Sequence, residues 1–238
     1  IGFLNAMKQW QQSIILSLGG SLIVPNGGID TSFLKEFNDF IRRHIQISRR
    51  FFIITGGGGT CRNYQQAAQA VVDVPNEDLD WLGIHATRLN AHLIRTIFRD
   101  IARPQIIESY DEIQDIGNYS LIIGSGWKPG WSTDYDTVMM CKFYGAKTIV
   151  NMSNTDGVYT ADPRKDPQAK RIDRMSWKEY RVMFGDKWVP GFSSPIDPIA
   201  AKLSDELGLT IITLAGKDLR NVEKAIEGKD FIGTTIEK

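Results

Sequence analysis

The sequence predicts an α/β fold, a three-layer αβα sandwich with a mainly parallel central sheet, and three observations carry that expectation. Short apolar runs alternate with longer amphipathic stretches through the 238 residues. Four runs lead into glycine-containing turns: Ser13 to Leu18 before Gly19-Gly20-Ser21, Phe51 to Thr55 before Gly56 to Gly59, Leu121 to Ile123 before Gly124-Ser125-Gly126, and Lys147 to Met152 before Asp156-Gly157. The order of β and α elements is that of a sheet covered by helices on both faces. A strand that ends in glycine can bring bare backbone N–H groups against an anion, and a following helix adds its positive end. Ligands of open α/β sheets gather at the carboxyl ends of the strands, so the four turns together describe a phosphate-handling edge.

Taken in order, the first strand and its turn are followed by Thr31 to Ile47, an amphipathic helix with Phe33, Phe37, Phe40 and Ile41 on one stripe and Asp30 or Thr31 placed to cap it. The strand Phe51 to Thr55, its glycine loop and a helix through Arg62 to Val72 make a second unit. The polar break Pro75-Asn76-Glu77-Asp78 leads into a long helix from Asp80 to Ile101, closed by Arg103-Pro104. Further strands are expected at Gln105 to Ile107, Leu121 to Ile123, Thr148 to Asn151 and Thr210 to Leu214, with Thr133 to Tyr144 and Ile199 to Leu207 helical. No repeat or linker divides the chain, and one domain over 1–238 is expected, with Ile1 to Ala6, ahead of Met7, as residues foreign to it.

Composition narrows the function. The 28 basic and 28 acidic residues cancel, which argues against a nucleic-acid binder driven by phosphate neutralisation. Cys61 and Cys141 form no CxxC, and with three histidines they leave no zinc-site spacing and no disulfide framework, so a reducing, cytoplasmic setting is expected. No apolar stretch approaches the roughly 18 residues of a membrane span, and no signal-peptide pattern opens the chain.

Four segments carry groups suited to chemistry. Asp80, Gly83, Thr87 and Asn90 are spaced three, four and three apart, which puts them on one helix face that is small and polar. That face suits either a tight helix contact or a carboxylate accepting hydrogen bonds from a ligand's hydroxyls beside a glycine that allows close approach. Gly124 to Asp134 combines glycines, Trp127, Lys128, Trp131, hydroxyls and a carboxylate just ahead of a helix. One of Ser132, Thr133 and Asp134 is expected to be an N-cap, whereas aromatics beside a lysine suit a base and a phosphate together. Asn154 to Pro163 projects Tyr159 and Asp162 from a loop around Asp156-Gly157. Asp197, ahead of the last of these helices, reads as its N-cap or as a metal-facing carboxylate.

The order and content of these segments resemble the amino acid kinase superfamily and, within it, uridylate (UMP) kinases of the archaeal type, over nearly the whole chain. Gly19-Gly20-Ser21 and the residues after it look like the family's GGSxLVP turn, and Gly57-Gly58 with Arg62 like its GGGxxxR loop. Asp80, Gly83, Ile84, Thr87, Arg88, Asn90 and Ala91 match DxxGIxxTRxNA, and Pro129 to Asp134 is similar to PGxTTD. Asp156 to Pro163 matches DGVYTADP at every position, Ser193 to Pro198 resembles SSxIDP, and Gly233 to Glu237 resembles the family's ending. The resemblance implies transfer of the γ-phosphoryl group of ATP to UMP, with ATP and Mg2+ required. It assigns Gly20, Ser21, Gly58 and Arg62 to the ATP phosphates, and Ser153, Asn154, Tyr159 and Asp162 to the ATP nucleoside. Gly57, Asp80, Gly83, Thr87, Trp127, Lys128, Pro129, Gly130, Trp131, Ser132 and Thr133 fall to UMP. Arg62 and Lys128 would supply positive charge to the reaction, and Asp197 would face the metal. It further implies an acceptor half over about 7–145, an ATP half over about 146–238, and a homohexamer with neither nucleic-acid nor membrane partners.

The chain departs from the bacterial members of that family, which have lysines where Ser17 stands and near Ser194, and the loop carries Trp127 and Trp131 where smaller or more polar residues are usual. Two other readings therefore stay open on the sequence. One is a kinase for another phosphorylated acceptor, such as isopentenyl phosphate, although the histidine expected there is absent, no histidine following His92. The other is a non-catalytic nucleotide-binding storage or regulatory protein.

Overall fold

A computed structural model describes residues 13–26, 28–187 and 194–238. Five apolar runs form parallel strands in the order β3 (Leu121–Gly124), β2 (Phe51–Thr55), β1 (Ile14–Leu18), β4 (Thr148–Ser153) and β8 (Thr210–Ala215). The sheet is completed by β9 (Thr234–Glu237), antiparallel to β8, and β7 (Arg174–Ser176), parallel to β9. A separate hairpin joins β5 (Val158–Tyr159) and β6 (Arg171–Ile172). The chain runs outward from β1 through β2 to β3 and then returns to place β4 on the other side of β1. Strand order therefore reverses between β1 and β4, the position at which α/β sheets open a crevice for ligands.

Alternation along the strands sorts the core into two layers. Ile15, Phe52, Ile54, Ile122, Ile149 and Ile211 face α5 (Thr133–Tyr144), α6 (Trp177–Phe184) and α7 (Pro198–Leu207). Leu16, Leu18, Phe51, Ile53, Val150 and Leu214 face α2 (Thr31–Gln46), part of α4 (Asn76–Ile97) and α8 (Leu219–Ile226). The expected αβα sandwich is the observed one. The Phe33, Phe37, Phe40 and Ile41 stripe of α2 is buried, and Asp30 caps that helix by accepting from the Phe33 amide at 3.0 Å.

Several boundaries differ from the sequence expectation. The helix expected from Arg62 begins at Gly58 as α3 (Gly58–Val71), because its glycine turn is itself wound into the first helical turn. The long helix starts at Asn76, with Pro75 at its N-cap, and ends at Ile97. Gln105 to Ile107 is not a strand. The chain meets the edge of β3 at two single bridges, Ala102 with Leu121 and Ile107 with Gly124, and Pro104 between them has no N–H to continue a ladder. The four-residue α1 (Gly20–Ile23), the short β5, β6 and β7, and α6, α8 and β9 were not assigned from the sequence. Residues 1–12 and Ser193 of the SSxIDP resemblance lie outside the described residues. Among the described residues no helix is long and apolar enough to cross a membrane.

The ends of β1 and β2 are locked together by glycine. A Cβ built on Gly20 would lie 2.2 Å from the Gly58 nitrogen and 2.5 Å from the Gly56 oxygen. Gly58 itself has φ of +61°, a conformation that side chains disfavour. Gly20→Ala is expected to force the two loops apart and to lower stability by at least ~2 kcal/mol, as overpacking of a rigid backbone contact does. Urea unfolding followed by circular dichroism measures this directly, and an unchanged midpoint would refute the contact.

Candidate active site

At the carboxyl end of β1, the Gly19 amide donates to the Met152 carbonyl of β4 at 3.0 Å, and the Gly56 amide donates to Leu18 at 3.0 Å. The Gly59 amide donates to Val24 at 2.7 Å. These bonds stack the N-terminal ends of α1 and α3 side by side. Arg62, from the first turn of α3, crosses to α1, where its Nη1 donates to Ser21 Oγ at 3.2 Å and its Nη2 to Asn26 Oδ1 at 3.0 Å. The structure thus brings together Gly20, Ser21, Gly58 and Arg62, four of the residues expected around phosphate. Asn26 joins them without having been singled out.

The polar face of α4 holds the neighbouring loops. Asn90 Nδ2 donates to the carbonyls of Gly56 at 2.7 Å and Gly57 at 3.2 Å, which fixes the glycine loop from beneath. Buried Thr87 donates its hydroxyl to Ile84 at 2.7 Å and accepts the Gly126 amide at 2.8 Å. Two turns nearer the helix start, Asp80 Oδ2 accepts the Gly130 amide at 2.9 Å. The loop between β3 and α5 is therefore tied to α4 at both ends, by Thr87 and by Asp80. Gly83 is turned toward α3, where an added Cβ would meet Cys61 Sγ at 3.4 Å, so it serves the packing of two helices.

Along and just past those ties the loop presents its rings. Trp127 and Trp131 stack with centroids 6.0 Å apart, and Trp131 packs on Tyr135 at 4.1 Å. Lys128 places Nζ 3.8 Å from the centre of the Trp127 ring and 3.8 Å from Asp111 Oδ1, which holds the ammonium by cation–π attraction and a partly exposed ion pair. Pro129 and Gly130, the latter with φ of +82°, turn the chain toward Ser132, whose hydroxyl accepts the Tyr135 amide and caps α5. Ser132 is thus the N-cap among the three candidates, and Thr133 opens the helix.

Across the switch point, Asp197 caps α7, its Oδ1 accepting from Ile199 at 2.8 Å and Ala200 at 3.0 Å. Its own amide donates to Asp134 Oδ2 at 3.0 Å, so the first turn of α5 and the start of α7 meet through a carboxylate. Asp134 lines a cavity of about 10 Å³, with Ser17, Thr137 and Asn151 among the other walls. That is room for about one water. Desolvation pushes the Asp134 carboxyl up to about 6, with the Asp197 charge adding to it. Among the described residues no group of three or more His, Cys, Asp and Glu gathers to hold a metal.

Beyond β4, Thr155 donates its amide to Ser153 Oγ at 3.2 Å, with Asn154 alongside. Tyr159 donates its hydroxyl to Asp156 at 2.8 Å, and Asp162 is bonded by Arg164, which holds its carboxyl below the usual range.

Facing glycine loops at a topological switch point, helix starts aimed at one crevice and an arginine over them define a protein built to handle nucleotide phosphates. The sequence profile of the Amino acid kinase family matches residues 12–114 and 122–213. The chain belongs to that family. Curated relatives include the uridylate kinase of Methanospirillum hungatei, 33% identical over 226 residues covering 94% of each chain, and that of Pyrococcus abyssi, 33% identical over 94% of this chain and 99% of the relative. Among solved structures, the uridylate kinase of Archaeoglobus fulgidus superposes with a TM-score of 0.80 at 29% identity, covering 94% of this chain and 99% of that one.

Sequence reasoning quoted Arg88 and Asn90 without giving either a role, and passed over Asp136. Arg88 Nη2 donates to the Trp127 carbonyl at 3.1 Å. Asp136, fully buried on α5, accepts the Trp127 amide at 3.2 Å through Oδ2. Burial pushes its carboxyl up to about 8, against an ordinary value of 3.8. The folded chain therefore keeps a proton that the unfolded chain gives up near pH 4, so stability falls as pH rises from about 4 to about 8, by about 1.4 kcal/mol per pH unit for this group. Asp136→Asn, which cannot ionise, is expected to match the parent near pH 4 and to exceed it progressively up to pH 8. Urea titrations across that range measure the difference, and parallel curves would refute the buried neutral carboxyl.

Proposed function

We propose that this chain is a UMP kinase, transferring the γ-phosphoryl group of ATP to UMP to give UDP and ADP. The observation that carries the reading is the Asp80–Gly130 bond. It joins the two segments that most narrowly resemble the UMP site and holds them beside the glycine loops. In this reading Gly20, Ser21, Gly58 and Arg62 bind the ATP phosphates by backbone amides and guanidinium, while Ser153, Asn154, Tyr159 and Asp162 take the nucleoside. Gly57, Asp80 and the loop Trp127 to Thr133 bind UMP, with Asp80 toward the ribose. Gly83 and Thr87 support that loop and its helix. The acceptor half covers about 7–145 and the ATP half about 146–238.

Phosphoryl transfer asks little covalent chemistry of a protein, and most of its catalysis is in-line positioning and neutralisation of charge. Arg62 supplies fixed positive charge at the glycine loops, and Lys128 supplies it at the acceptor loop. Mg2+ would neutralise charge on the transferring phosphate. Asp197 keeps Oδ2 outside its capping bonds, and a lone carboxylate oxygen near bound phosphates suits an ion that takes most of its ligands from nucleotide and water. A homohexamer in the cytoplasm is part of the same proposal.

An ADP-release assay with MgATP against UMP, CMP, dUMP, AMP and isopentenyl phosphate tests it. Turnover is expected with UMP, and Asp80→Ala is expected to lower kcat/KM for UMP about 100-fold. Arg62→Met is expected to produce a similar loss measured on ATP. Turnover with isopentenyl phosphate alone, or ATP binding with no turnover on any acceptor, would overturn the assignment.

A further inference from the structure

Asp136 is an anomaly as a structural residue. It is 0% exposed, on a helix whose other buried residues include Val138, Met140 and Cys141. Its Oδ1 has no hydrogen-bond partner among the described residues. A carboxyl buried with half its bonding capacity unmet costs a fold stability that an apolar side chain of the same size would not. Such a departure from good packing points to a local task. The bond it does make is to the amide of Trp127, whose carbonyl is taken by Arg88 from the opposite element. The groups around it are Arg88 on α4, Tyr110 ahead of β3, and Asp134 and Tyr135 on its own helix. Tyr110 is spoken for by the Ser125 carbonyl at 3.0 Å, and its ring packs edge-on against Trp127 at 6.0 Å.

We propose that Asp136 is a positioning residue that, with Arg88, clamps the two peptides on either side of Trp127 and so sets the aromatic wall of Trp127 and Trp131 against which the acceptor lies. The inference rests on the reading of that loop as the acceptor site. The loop's outer ties, at Gly126 and Gly130, do not reach the backbone of Trp127, which is met only by Asp136 and Arg88 among the side-chain hydrogen bonds of the described residues. The Trp127 N–H lies in the peptide plane before its Cα and the Trp127 C=O in the plane after it, so the two bonds hold both planes that flank Trp127, and the ring between them keeps one face toward the crevice. Asp136 touches neither nucleotide in this arrangement and acts through Trp127.

Asp136→Val keeps the volume and removes the acceptor, whereas Asp136→Asn keeps an oxygen for the Trp127 amide. In steady-state assays the valine variant is expected to raise KM for UMP about tenfold, the equivalent of about 1.4 kcal/mol, with KM for ATP unchanged. The asparagine variant is expected to stay within about twofold of the parent. Hydrogen exchange of the 124–131 segment, measured on the same proteins without substrate, is expected to quicken in the valine variant and not in the asparagine variant. Equal changes in both KM values, an unaltered KM for UMP in Asp136→Val, or unaltered exchange would each overturn the clamp. If the parent chain turned over no UMP, the functional reading would fail on that result alone. The exchange comparison would still decide the clamp.

Discussion

Two loops of this protein touch backbone to backbone, and almost everything at the crevice follows from that contact. The turns after β1 and β2 carry no Cβ where they meet at Gly20, Gly56 and Gly58. The helices that follow can therefore start side by side, and their unsatisfied amide ends aim at the same small volume. With any side chain between them, α1 and α3 would diverge, and Arg62 could no longer reach Ser21. The cost is conformational freedom lost at four consecutive glycines. Asn90 offsets part of it from beneath, by taking the Gly56 and Gly57 carbonyls.

The loop between β3 and α5 is organised differently. There side chains of α4 and α5 hold the backbone: Asp80 and Thr87 at Gly130 and Gly126, Arg88 and Asp136 at Trp127. A rigid glycine cradle beside a side-chain-strapped loop divides the labour in a way that suits the proposed reaction. Phosphates are alike in every nucleotide and can be met by fixed amides. Bases and sugars differ, and a loop whose shape is written in replaceable side chains is where one fold can be adapted to one acceptor.

Much of this was legible in the sequence because the relevant signals are local. The runs of β1, β2, β3, β4 and β8 are apolar enough to be strands at sight, and the phenylalanine stripe of α2 and its Asp30 cap are spaced by the helix itself. What escaped depends on tertiary context. β5 and β6 are two residues each and β7 is three, too short to show alternation. β9 pairs through threonines that read as polar. Glycines at the start of α3 contradict helix propensity, and packing against α1 overrides it. Asp136 was passed over for the plainest reason: a charged residue on a helix is normally read as solvent-facing. α5 lies between the sheet and α7, so that the Asp136 position is buried although Lys142 on the same helix is exposed. The same limit applies to Asp197, where the sequence allowed a cap or a metal ligand and the capping bonds are what the fold makes visible.

The edge of the sheet also bears on how the chain is made. β7 at residues 174–176 has a single neighbour in the sheet, β9 at residues 234–237, and β9 in turn lies against β8 in the opposite direction. During synthesis, then, β7 emerges from the ribosome some sixty residues before the strand it pairs with. Until that strand arrives, β8 is an open, apolar edge able to pair with a stray strand. β9 closes that edge and seats β7 in one step, so completion of this side of the molecule waits for residues 234–237 to be made and is not set by the order in which its helices can form.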